Sequence, residues 1–341
     1  MLKQAYIIYL FSGFYISFGI FPSDLSPIYA AVIIVVSFLL GKNLGIKTIR
    51  SLIPIFLVIL ALYIGKSYEV VKLLLAFFLS YHIYYEVIRN SVFIKSSSAL
   101  KIAIVYLFSS IITSFDGEAL NALLYRVGTD ASRGAAGISP EPSYFGLMSA
   151  FLYAFFSNLK VSRTASIIFS LCVFLSFSIY AYFILFFFFW KYEKKEFFYI
   201  VSGCSLFLLL FFEPNLRIYM LLRSFFDQGP SALLNDHSIV FRLSSLLDFW
   251  NGMWSIGGVP STGLNGGVSR LVVDFGIFGI AIILIIVLAS PYKQVLVEVF
   301  RSVSLSIAFI TIVLIGPVSL PALFIWMASY DKAFQRNYSS Y

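Results

Sequence analysis

Eight residues of this 341-residue chain have the types needed for chemistry on a charged substrate, and they fall in two segments. Arg126 and Arg133 lie within 116–142, and Arg217, Arg223, Arg242 and Arg270 lie within 213–270; neither segment contains a lysine. Arginine is preferred to lysine where a rigid, two-pronged donor must hold an oxyanion such as phosphate or carboxylate. The plainer alternative is surface charge balanced by the acids of the same segments (Asp116, Glu118, Asp130, Glu141, Glu213, Asp227, Asp236 and Asp248). The exclusive use of arginine favours anion binding. Two residues qualify as a base. Glu141 is held between Pro140 and Pro142 close to Arg133, and its competing role is to orient that arginine through an ion pair. His237 is of the one side-chain type that titrates near neutrality without help, and its competing role is that of a surface or capping residue at a helix start. Tyr144, three residues after Glu141, completes the candidate binding set, and Ser143 is placed to cap the helix that follows.

The backbone around these residues is rich in glycine and proline. Arg133 opens the run Gly134-Ala135-Ala136-Gly137-Ile138-Ser139-Pro140-Glu141-Pro142-Ser143-Tyr144-Phe145-Gly146. Its glycines permit unusual backbone angles, while its prolines stiffen the start of the next apolar run. Upstream, Leu120, Leu123, Leu124 and Val127 share one helical face that ends at Gly128, which predicts a short helix on the membrane surface or against the bundle. In the second segment Asp236 or Ser238 is the expected N-cap of an amphipathic helix carrying Ile239, Leu243, Leu246 and Trp250 on one face. The glycine-rich run 257–267 admits either an anion-binding turn or a flexible connection. No Walker pattern, no Cys/His cluster and no Asp-x-Asp pair occurs in either segment, so neither a metal nor another cofactor is expected.

What must position these segments is a membrane. Hydrophobic residues make up 60% of the chain and charged residues 12%, about half the charged fraction of a soluble domain; the mean hydropathy is +0.93. Apolar runs recur at 5–21, 27–41, 51–65, 70–88, 100–115, 143–158, 164–190, 197–212, 271–290 and 303–330. They do not alternate as barrel strands do, so the fold class is all-α and polytopic. No small-residue cleavage site follows the first run, which reads as a retained span. The whole of 1–341 forms one transmembrane domain with two outer loops, 116–142 and 213–270. The net charge of +8 sits in short clusters between apolar runs, so it implies no nucleic-acid partner.

Orientation follows from those clusters. With the N-terminus inside, Lys42, Lys47, Arg50, Arg89, Lys95, Lys101, Lys160 and Arg163 all fall on the cytoplasmic side, as the positive-inside rule requires. Charge reads the run 164–190 as a hairpin of two short helices turning near Ser176–Ser178, because only then do Lys191, Lys194 and Lys195 also lie inside; length argues for a single span, since thirteen residues cover only ~20 Å. The run 303–330, broken by Gly316, Pro317 and Pro321, is treated in the same way. This arrangement gives about twelve helices and puts 16 of the 24 Lys and Arg on the cytoplasmic side.

At these residues the chain resembles the Wzy-type O-antigen polymerases, within the wider O-antigen polymerase and ligase family. Arg133…Gly137…Glu141-Pro142-Ser143…Gly146 resembles the family's arginine followed by Glu-Pro-Ser and glycine. Arg242…Trp250…Gly257-Gly258-Val259…Gly263, with Gly276-Ile277-Phe278-Gly279 inside the next span, resembles its arginine, Gly-Val-Gly turn and Gly-Ile-x-Gly helix. The chain departs from the ligases in having Gly266-Gly267-Val268-Ser269-Arg270 where they carry a histidine. The resemblance implies a GT-C-like bundle in the bacterial inner membrane that polymerises a polysaccharide on its periplasmic side. The growing glycan would pass from undecaprenyl pyrophosphate to a lipid-linked repeat unit. It also implies Arg133 and Arg242 at the pyrophosphate, with Arg126, Arg217, Arg223 and Arg270 in reserve, and a chain-length regulator and a flippase as partners. The rival readings are a flippase or transporter, which would carry ionisable residues in mid-membrane and paired internal repeats, and a ligase.

Overall fold

A computed structural model describes residues 94–120, 134–139, 141–192, 199, 202–203, 217–229, 231–232, 237–259, 269–281, 284, 292–315, 326–327, 329–330 and 335. The expected spans 5–21, 27–41, 51–65 and 70–88, most of 197–212, and the breaks at Gly316, Pro317 and Pro321 lie outside the described residues. So does the predicted short helix over 120–127, apart from Leu120. The described residues contain helices and no strand. In chain order the helices are α1 (Ser96–Phe115), α2 (Pro142–Leu159), α3 (Arg163–Leu175), α4 (Ile179–Tyr192), α5 (Arg217–Gln228), α6 (His237–Met253), α7 (Ser269–Phe275), α8 (Tyr292–Phe300) and α9 (Val303–Ile315).

Only α1, at 20 residues, combines the length and apolar composition to cross a membrane among the described residues; α3, α4 and the first part of α9 are shorter apolar helices. Helix α1 carries hydroxyls on its buried face without leaving them unpaired. Ser109 donates to the Tyr106 carbonyl (2.8 Å), Ser110 to Leu107 (2.7 Å) and Thr113 to Ser109 (2.9 Å), so each is satisfied by its own helix.

Helices α1 to α4 form an up-and-down unit in which α1 packs on α3, α3 on α2 and α2 on α4. The end of α1 and the start of α2 meet through Gly137, whose amide donates to Thr113 Oγ1 (2.9 Å) and whose Cα lies against Phe145. Helix α3 runs back along α2 until Leu175 and Ser176 reach the start of α2 at Gly134 and Gly146. Helix α4 then follows α2 in the same direction. Ala181 lies beside Gly146, Phe188 is 6.0 Å from Phe151, and Phe189 is 4.9 Å from Tyr153 between ring centres. The chain therefore reverses at Ser176–Ser178, where the sequence places the turn. Phe177 there adopts φ 47, and Ser178 Oγ accepts from the Ala181 amide (3.3 Å) to begin α4.

This path sends Lys95, Lys101, Lys160, Arg163 and Lys191, all exposed, to one end of the unit. The opposite end holds Asp116, Glu118 and Glu141, and no cation among the described residues. The C-terminal segment ties into the cationic end. Asn158 donates to the Ser329 carbonyl (3.0 Å), Trp326 Nε1 donates to the Tyr192 hydroxyl (3.3 Å), and the Tyr192 and Tyr330 hydroxyls meet. Tyr180, at the start of α4, donates to the Thr311 carbonyl of α9 (3.2 Å). Thr311 thus lies toward the acidic end and Ser329 at the cationic end, while the turn expected between them lies outside the described residues.

Candidate functional site

The run from Gly134 to Gly146 is largely a structural wedge. Gly134 adopts φ 100 against the Ser176 carbonyl, the Ala135 amide donates to the Leu175 carbonyl (2.9 Å), and the Ser139 amide closes a turn onto Ala136 (2.9 Å). Ala135, Ala136 and Ser139 are buried. The segment thus ties together the end of α1, the start of α2 and the end of α3. An added Cβ at Gly146 would lie 2.7 Å from the Ala181 Cβ, so this glycine lets α2 touch the α3–α4 turn.

Helix α2 starts at Pro142, which makes Glu141 the N-cap residue, with extended angles (φ −138, ψ 149). This corrects the expectation that Ser143 caps the helix. Proline fixes the first helical position, so Ser143 lies one residue inside it, and its hydroxyl donates to Glu141 Oε2 (3.3 Å). Glu141 is half-buried at the acidic end. Tyr144, expected in the binding set, is half-buried and packs against the hydrophobic core. Beyond the end of α1, the Glu118 amide donates to Asp116 Oδ1 (2.9 Å) in an exposed turn.

The second segment is also more ordered than a flexible loop. Arg217 opens α5, and Arg223 faces Asp227 one turn on, at 3.8 Å and with both side chains mostly exposed; such a pair contributes little to stability. Helix α6 begins at His237. Ser238 is therefore inside the helix, and Asp236, the other expected cap, lies outside the described residues. The side chains of Arg217, His237, Arg242 and Arg270, and the whole of Arg126 and Arg133, lie outside the described residues.

After α6 the chain turns and docks on α7. The Val259 amide donates to the Val273 carbonyl (2.8 Å), the Ile277 amide to the Ser255 carbonyl (2.8 Å), and Ser255 Oγ to the Gly258 carbonyl (2.7 Å). A Cβ on Gly258 would stand 2.5 Å from the Val273 and Asp274 carbonyls. Of the two readings of this run, the docked segment is a packed turn whose Val259 amide is already engaged. The expected continuous span from 271 is interrupted as well. Helix α7 ends at Phe275, Gly276 takes φ 60 beside Ser255 and Gly258, and residues 277–281 resume the helix.

Asp248 is the residue that sequence reasoning undervalued, since it counted only as a partner for surface arginines. It is 6% exposed, on the face of α6 that also carries Ser244 and Gly252. Gly252 lies against the Val272 carbonyl of α7. The 244–248–252 spacing of small and polar residues was the available signal. Among the described residues no group of three His, Cys, Asp or Glu side chains is placed to hold a metal ion. Comparison with protein-family models, with curated proteins and with solved structures finds no match to this chain.

Proposed function

We propose that this protein is an inner-membrane glycan polymerase. It transfers a growing chain from undecaprenyl pyrophosphate to a lipid-linked repeat unit on the periplasmic side. The bundle is read as about twelve transmembrane helices of GT-C type, with 116–142 and 213–270 outside. In the reaction the acceptor hydroxyl attacks the anomeric carbon of the donor. The new glycosidic bond forms as the bond to pyrophosphate breaks, the acceptor proton passes to a base, and undecaprenyl pyrophosphate departs. No nucleotide sugar is consumed.

The membrane reading is supported by inverted helix faces. Outward-facing positions carry large apolar side chains (Ile104, Phe108, Ile111 and Phe115 on α1, Ile179 and Phe183 on α4), while the buried face of α1 carries Ser109, Ser110 and Thr113. A soluble helix turns its apolar stripe inward; a helix in lipid keeps polar groups toward its neighbours. The observation that carries the sidedness is the charge separation of α1 to α4. Their lysines and Arg163 gather at one end, and Glu141-Pro142-Ser143 is seated at the other. A cytoplasmic lysine end puts the Glu141 motif at the outer boundary, where the pyrophosphate of a lipid-linked donor lies. Arginines there stabilise charge developing on the departing group, and Glu141 or His237 takes the proton.

Deletion of the gene tests the assignment. Loss of polymerisation alone leaves surface polysaccharide with a single repeat unit. A flippase deletion leaves no repeat unit on the surface, and a ligase deletion leaves lipid-linked polymer unattached; either pattern overturns the proposal.

A further inference from the structure

Helix α6 is turned the wrong way round for a helix in an aqueous loop. Its apolar positions Val240, Leu243, Leu247 and Trp250, continued by Trp254 just beyond its end, recur every three or four residues and form one stripe. All five are exposed, from 40% at Val240 to 74% at Trp254. The opposite face carries Ser244, Asp248 and Gly252. It is this polar and small face that packs inward, with Asp248 buried and Gly252 on the α7 backbone. A water-exposed amphipathic helix does the reverse. Burying a carboxylate while exposing two tryptophans makes sense only where the medium outside is less polar than the protein inside.

We infer that α6 lies in the outer leaflet of the bilayer, with its Val240–Trp254 stripe against lipid and its tryptophans at the headgroup boundary. Three observations favour lipid over a protein partner. The stripe is not isolated, since α6 also packs against α9, whose outward residues Val303, Ile307 and Ile310 are likewise exposed and apolar. One medium therefore covers both helices. The stripe ends in Trp250 and Trp254, packed edge to face at 6.0 Å, and tryptophan is the residue that concentrates where hydrocarbon meets headgroups. Seventeen residues make α6 about 25 Å long, enough to lie along the leaflet surface as an interfacial helix does. The inference rests on the membrane part of the proposed function and is independent of its chemistry. It places the segment bearing Arg242 against the bilayer and not in the aqueous periplasm.

The test uses the full chain reconstituted into phosphatidylcholine vesicles, with brominated phosphatidylcholine as the probe. Four single-tryptophan variants retain Trp190, Trp250, Trp254 or Trp326, the other three being replaced by phenylalanine. Trp326 is fully buried and serves as the unquenched control; Trp190, exposed on α4, reports on the bundle. Bromolipid should quench most of the emission of Trp250 and Trp254, blue-shifted relative to indole in water, and iodide in the aqueous phase should quench little. Quenching by iodide but not by bromolipid would put α6 in water, and quenching by neither would mean that protein covers the stripe. Either result overturns the inference while Trp190 remains quenched by bromolipid. Loss of bromolipid quenching at Trp190 as well would overturn the membrane reading itself.

Discussion

Replacing Gly137 by alanine tests whether 134–139 is a wedge that holds three helices together. Gly137 sits at φ 51, a left-handed conformation that costs a residue with a side chain about 1–2 kcal/mol. Its new Cβ would lie 2.6 Å from Cδ2 and Cζ of Phe145, far inside van der Waals contact. Phe145 is fully buried and its ring stacks on Tyr106 at 5.7 Å, so it cannot swing aside without opening the core. Overpacking of this kind costs roughly 1–3 kcal/mol. The two effects sum to about 2–5 kcal/mol, a large part of the ~5–15 kcal/mol that separates folded from unfolded protein. The assay is the thermal midpoint of the purified full chain in detergent, read as the loss of the monodisperse peak after heating. Gly137→Ala should lower the midpoint clearly. Phe145→Leu, which makes room for the methyl group, should remove the steric part and leave the backbone part. The double variant should then be less destabilised than the sum of the two single variants. A Gly137→Ala protein with an unchanged midpoint, or strict additivity in the double variant, would refute the wedge.

A topology reporter fused after Lys195 should behave as cytoplasmic and one at Gly229 as periplasmic; a periplasmic signal at Lys195 contradicts the reversal at Ser176–Ser178. Arg133→Ala and Arg242→Ala should each abolish polymer, since losing one positioned donor costs about 10²–10³ in rate, and lysine at either position should restore little; a normal chain-length ladder in either alanine variant removes that arginine from the site. Glu141→Gln should impair polymerisation more than His237→Asn at matched protein abundance. If His237→Asn alone is inactive the order is reversed, and if both polymerise normally neither is the base. Asp248→Leu should destabilise the chain by about 1–3 kcal/mol, because a larger branched side chain must fit the buried face of α6, seen as a lower thermal midpoint; an unchanged midpoint means that this face is not closely packed.

The reversal at Ser176–Ser178 was legible from charge, because the lysines beyond the run have a side to be on. Length argued the other way, since thirteen residues per helix cover only ~20 Å. The charge signal prevailed because it is global and does not depend on side-chain packing. The start of α2 was misassigned by favouring the residue type best known for capping. A stronger constraint stood beside it, because a proline at the first helical position fixes the boundary and leaves Glu141 as the cap. The break at Gly276 had no local signal. Its left-handed angle is required by the close approach of Ser255 and Gly258, some twenty residues away in sequence, so only the folded arrangement reveals it. The periodicity of α6 likewise shows two faces without saying which points inward. For a soluble helix the apolar face is the safe choice, and here Asp248 takes that place.

The short motifs behind the functional reading divide, once packed, into scaffold and chemistry. In the first, Gly134, Gly137 and Gly146 are consumed by contacts with Ser176, Phe145 and Ala181, Pro142 sets the start of α2, and Ser143 donates to Glu141. What remains among its described residues is one half-buried carboxylate, at the end of the unit that carries no lysine. In the second, Gly258, Gly276 and Gly279 are consumed by the backbones of Val273, Ser255 and Leu271. These six glycines are therefore explained by packing and carry no weight as binding groups, while Gly257 faces open space and Gly263 lies outside the described residues. On the proposed reading the chemistry comes from the charged residues Glu141, Arg133, Arg242 and Arg270. Packing accounts for these six glycines yet gives no reason for two lysine-free segments with six arginines between them, and the proposed polymerase reading rests on those arginines.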